Sequence, residues 1–155
     1  MRNSVATVVA GILITASGML GADIRLGNWK YNPAKSKITG ANQLKSQTDI
    51  VEATPDGKIT VNRTGQFADG TAFKYSFSYK YDGRDYPVKG APFDMISVKR
   101  VDMSTTKFEL SKSGSKYQLK GTTVISRDAQ TRTITSEGTD AAGKPISQTT
   151  VFNRF

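Results

Sequence analysis

Residues Thr71–Asp82 read TAFKYSFSYKYD, with Phe73, Tyr75, Phe77, Tyr79 and Tyr81 at every second position and Lys74, Ser76, Ser78 and Lys80 between them. Successive side chains of a β-strand point to opposite faces, so this spacing builds one aromatic face and one wet face. That is the signature of a half-buried antiparallel strand. Asp69-Gly70 before the stretch and Asp82-Gly83 after it are turn pairs in which glycine accepts positive φ. The second pair predicts a tight hairpin with a short return over Tyr86–Val88.

Working outward, the alternation recurs in smaller units. Lys58–Asn62 follows the turn Pro55-Asp56-Gly57, and Ser46–Ala53 reads as the strand before it. Asp94–Val101 sets Ile96 and Val98 against Ser97 and Lys99, and Thr106–Leu110 sets Phe108 and Leu110 against Lys107 and Glu109. Tyr117, Leu119, Gly121, Thr123 and Ile125 share a face, and Thr131–Glu137 and Ile146–Phe155 complete the series. Pro33–Ser36 and Thr39–Asn42 break the chain after Leu26–Tyr31 and leave room for one helical turn, not a long helix. Short successive antiparallel strands pair with their sequence neighbours. The expectation is an all-β fold: a single antiparallel meander of about eight to ten strands closed into a barrel, with a two-sheet sandwich as the alternative.

The first residues read as a cleavable export signal over residues 1–22: Arg2 supplies the charge, Val5–Ala16 is mostly apolar, and Leu20-Gly21-Ala22 offers small residues for cleavage. Residues 23–155 then form one β-barrel domain, in the periplasm or secreted. The apolar run is too short for a confident span, so no transmembrane segment is expected in the mature chain. With no cysteine, lipid anchoring at the processing site and disulfides are both excluded, and packing alone must hold the domain.

The 22 Lys and Arg outnumber the 13 Asp and Glu, a net charge of +9. The bases are dispersed: Lys74, Lys80, Lys89, Lys99, Lys107, Lys112, Lys116, Lys120, Arg127 and Arg132 fall in many segments. This reads as a solvated surface that protects sheet edges. Nucleic acid is not an expected partner, because the aromatics and lysines of residues 73–81 lie on opposite faces and stacking needs the rings outside.

The absence of histidine as well as cysteine removes the imidazole base, the thiol nucleophile and the common zinc-ligand sets. Asp82 and Asp85 flank Arg84 at a turn, and Asp56, Asp69 and Asp140 are separated turn residues, not a calcium loop. The chain is therefore read as non-catalytic, with no cofactor and no metal. Phe73, Tyr75, Phe77, Tyr79 and Tyr81, joined by Tyr86, Phe108 and Tyr117, are the candidate wall of a site for a small hydrophobic or amphipathic ligand, and Arg84 is the candidate base for an acidic group. Periodicity sets orientation and not empty volume. A solid barrel whose basic exterior binds an envelope protein or an anionic polymer stays open as the alternative.

Gly27-Asn28-Trp29 resembles the G-x-W opening of lipocalins and related calycin barrels, and Val151-Phe152-Asn153-Arg154 resembles their aromatic-plus-basic closing strand. The resemblance implies that Trp29 closes one barrel end by packing against Arg154. More widely, GNWKYNPAKSK, YDGRDYPV, the turn around Asp140–Pro145 and VFNRF resemble small exported bacterial lipocalin-like proteins of uncharacterised function. A clear T-D-Y motif is missing, as is the interior R-x-Y of fatty-acid-binding relatives on the last strand, so fatty-acid carriage does not transfer with the fold.

Overall fold

The computed structural model describes residues 23–155; the export-signal reading of residues 1–22 lies outside the described residues. The described chain contains β1 (Gly27–Tyr31), a 3-10 turn (Pro33–Lys35), β2 (Lys37–Thr39), β3 (Leu44–Ala53), β4 (Ile59–Phe67), β5 (Ala72–Tyr79), β6 (Asp82–Pro87), β7 (Met95–Arg100), β8 (Thr105–Ser111), β9 (Gln118–Ile125), β10 (Thr131–Thr139) and β11 (Pro145–Arg154). The strands form one antiparallel sheet in the order β5-β4-β3-β1-β11-β10-β9-β8-β7-β6, curled into a nearly closed ten-stranded barrel. The short β2 continues where β1 leaves off: β1 pairs with the end of β11 and β2 with Ser147–Thr149. Between them Asn32 and Ser36 bond the backbone of Val151, at 2.7 and 2.8 Å.

The expected hairpin at Asp82-Gly83 does not form. β5 and β6 follow one another in sequence but are not paired; β6 pairs only with β7, with Tyr86 opposite Ile96. Gly83 takes positive φ at 73°, yet it uses it in a register shift between Asp82 and Asp85. Side chains close the gap instead. Phe93, from the β6–β7 loop, is buried and meets Tyr75 and Phe77 of β5 edge-on, at 6.1 and 5.4 Å between centroids.

The closed end of the barrel is tied by two arginines. Arg154 stacks on the buried Trp29 ring, 4.3 Å from its centroid, and spends its N–H groups on the carbonyls of Leu26, Ile24 and Ala129, each at 2.6 Å. Arg25 pairs with Asp23 at 3.1 Å and donates to the Asp102 carbonyl at 2.7 Å. Segment 23–26 is thereby lashed to the β7–β8 and β9–β10 turns. The opposite end, carrying the β2–β3 and β6–β7 connections, is the mouth.

Two inward-facing glycines keep the interior from filling. Gly65 lies opposite Phe73 and Gly121 opposite Phe108, and each ring lies across its glycine. A Cβ on Gly121 would sit 2.5 Å from Phe108 Cζ and 2.6 Å from the Thr135 carbonyl. The Gly121→Val variant is expected to lose about 1–3 kcal/mol of stability, the cost of overpacking, as read from the urea midpoint. An unchanged midpoint would contradict this account of the wall.

Candidate functional site

The barrel encloses a cavity of about 930 Å³ that opens between Gly40–Asn42 and Gly90–Pro92. This is the size range of a small-molecule site. One wall is the aromatic strand. Phe73, Tyr75, Phe77 and Tyr79 succeed one another at 6.0–6.2 Å, and Tyr81 follows at 5.7 Å where it meets Arg25 and Arg100. The facing wall mixes aliphatic side chains with hydroxyls at Thr106, Thr123 and Thr150. Phe108 and Tyr117 also line the space, so seven of the nine residues named from sequence come together around it. Arg84 and Tyr86 do not: Arg84 is exposed, and the Tyr86 hydroxyl donates to Asp82 at 2.6 Å beside the shifted register of β6.

The centre of the cavity holds residues that were not singled out. Pairing aligns Arg154, Trp29, Asp49, Arg63 and Tyr75 as one inward row across β11, β1, β3, β4 and β5. Asp49 is fully buried and accepts from Arg63 through both oxygens, at 2.8 and 2.9 Å. Its Oδ2 also accepts from Arg132 Nη2 at 2.6 Å, and its Oδ1 from Gln47 at 2.9 Å. The Arg63 guanidinium lies 5.3 Å from the Phe77 ring, and that of Arg132 lies 4.2 Å from Phe152 and 5.3 Å from Trp29. Arg132, counted from sequence among dispersed surface bases, is thus an interior residue. The alternation Arg132–Ile134 already carried that signal, because Ile134 faces inward too.

Burial by itself would raise the Asp49 carboxyl. The two guanidiniums and their hydrogen bonds outweigh it and hold the group well below the usual carboxylate range. Burial lowers Arg132, with Asp49 opposing that shift, while at Arg63 the pull of Asp49 overcomes burial and raises it. Burial also pushes the Tyr79 and Tyr117 phenols up to about 12. Outside the barrel, a second hollow over β7–β11 is lined by Lys99, Lys107, Lys120, Glu109 and Glu137. It is a solvated face of mixed sign, in which Lys120 and Glu109 are 3.4 Å apart and both largely exposed.

Removing Asp49 leaves two buried guanidiniums without their shared counter-ion. Asp49→Ala is expected to cost about 3–5 kcal/mol, as breaking other buried pairs does; a denaturation curve superimposable on the parent's would refute the cluster. The pH signs follow. A depressed carboxyl contributes in full above its unfolded value of about 4, and the Asp49 contribution drains away as pH falls below that value toward the lower native one. Raised phenols act oppositely: their contribution is whole below the ordinary value of about 10 and drains away as pH rises toward about 12. Phenolate absorbance should show Tyr79 and Tyr117 titrating at the upper value, and titration of every tyrosine near 10 would contradict their burial.

No protein-family model matches the sequence, and no curated protein matches it. Solved structures do match. The fatty acid binding protein of Schistosoma mansoni in complex with arachidonic acid superposes with a TM-score of 0.55 at 12% identity, over 85% of this chain and 96% of that one. The S-type phycobiliprotein lyase of Guillardia theta gives 0.58 at 12% identity, over 85% and 89%. The zebrafish ileal bile acid-binding protein complexed with cholic acid gives 0.50 at 12% identity, over 85% and 99%. At such identities the likeness speaks for fold, and the fold is that of the fatty-acid-binding and lipocalin-like calycin β-barrels.

Proposed function

We propose that this protein is a non-catalytic binder of one small hydrophobic or amphipathic molecule, held inside the barrel. The carrying observation is the cavity of about 930 Å³ walled by Phe73, Tyr75, Phe77 and Tyr79. The apolar body of the ligand packs on that wall and its polar end reaches the Asp49–Arg63–Arg132 cluster at mid-depth. Burying the apolar surface of a small ligand supplies the affinity at about 25 cal/mol per Å², and the few interior polar groups orient it. Neighbouring folds solved with arachidonic acid and cholic acid support this reading. Export to the periplasm or the medium belongs to the proposal and rests on the N-terminal pattern of residues 1–22.

Thr123 and Thr122 allow a clean test, because the first lines the cavity and the second the outer hollow. An uncharged apolar dye is expected to bind once per chain. Thr123→Phe should weaken it by about tenfold or more, equivalent to roughly 1.4 kcal/mol, while Thr122→Phe leaves it unchanged. Equal binding by both variants, or failure of the parent protein to bind any apolar dye, charged or uncharged, would remove the proposal. Edman sequencing of protein recovered from the periplasm or medium should begin at Asp23; an intact Met1 terminus would remove the export component.

A further inference from the structure

We infer that the cavity selects singly charged anions, and that Asp49 is the residue that sets this charge. The inference rests on the binding reading above and specifies the chemical class of the ligand: an apolar body bearing one carboxylate or sulfonate.

The argument begins with the charges that the cavity wall presents. At mid-depth, Arg63 and Arg132 supply two positive charges and Asp49 one negative charge, so the cluster carries one unit of positive charge in excess. The other charged lining residues do not change that balance. Arg25 at the closed end is paired with Asp23. Lys74 and Asp140 belong to the mouth end and are of opposite sign. An excess charge away from water is costly unless something neutralises it. A neutral ligand would shut that charge away without a partner, and a dianion would replace it with a negative excess. A monoanion brings the interior to neutrality.

Hydrogen bonding points the same way. Both Asp49 oxygens are taken, so the cluster offers a ligand donors and not acceptors. Arg132 is 6% exposed and its Nε–H has no partner, a condition shared by the Nε–H of Arg25 at the closed end. A buried donor of this kind is normally satisfied. A guanidinium edge holds a planar carboxylate or a sulfonate through charge-assisted bonds, which are stronger than bonds to a neutral acceptor. Arg63 spends Nε and Nη2 on Asp49 in a bidentate pair, whereas Arg132 spends only Nη2 there and keeps more of its donors for the incoming anion.

The test uses one anilinonaphthalene dye skeleton carrying no, one or two sulfonates, titrated by fluorescence into the parent protein, Asp49→Asn and Arg132→Met. Arg132→Met retains the Arg63–Asp49 pair, so it keeps the test alive if Asp49→Asn fails to fold by circular dichroism. The parent protein is expected to bind the monosulfonate at least about tenfold more tightly than either other dye, the ratio given by one modest charge contact. Asp49→Asn should move the preference toward the disulfonate, and Arg132→Met should move it toward the uncharged dye. An uncharged dye that binds the parent as tightly as the monosulfonate, or one ranking shared by the parent and Arg132→Met, would overturn charge selection while leaving the cavity a binding site. Failure of all three dyes to bind the parent would overturn the binding reading itself.

Discussion

One buried carboxylate constrains this barrel more than any other group. Asp49 has no access to water, and an ionised carboxylate in that position is tolerable only when its lone pairs are occupied by fixed donors. Arg63, Arg132 and Gln47 supply them from β4, β10 and β3. The cluster thus ties β3 and β4 to β10 over the intervening β1 and β11, whose Trp29 and Phe152 rings lie under Arg132. Rings of Trp29, Phe152 and Phe77 flank the guanidiniums and add cation–π attraction to the ion pairs.

Holding a barrel open demands the opposite of good core packing. Interiors close up wherever side chains are free to interdigitate. Here the pairs Gly65–Phe73 and Gly121–Phe108 lay large rings along the wall, and the Asp49 cluster braces β3 and β4 against β10. The unpaired seam between β5 and β6 is closed by Phe93 from the β6–β7 loop. Closure there is by side-chain packing instead of backbone pairing, and the loop that supplies Phe93 also borders the mouth.

The related folds solved with arachidonic acid and with cholic acid use the same architecture around very different molecules. A β-barrel interior of this size fixes the volume and the apolar character of a ligand, while a handful of polar side chains fixes its chemistry. In this chain the buried charged side chains of the cavity come from β3, β4 and β10, and the last strand contributes Arg154 to the closed end instead.

Much of the fold was legible in residue order. The alternation over 73–81 determined the orientation of the aromatic strand, the repeated short alternations determined an antiparallel meander, and Trp29 with Arg154 marked the barrel end. Period-two patterning works there because the inward residues are apolar and the outward ones polar. It fails on β3, where Gln47 and Asp49 face inward and Ile50 faces outward, so the segment hides its role. It also misplaced Arg132, whose charge suggested water until β10 was seen to pair with β11 and turn it inward. Whether the aromatic face meets a filled core or an open cavity, and whether Asp82-Gly83 makes a hairpin or a seam, depends on contacts between strands distant in sequence. Those matters of volume and pairing were decided only in three dimensions, because local spacing dictates which way a side chain points and not what stands opposite it.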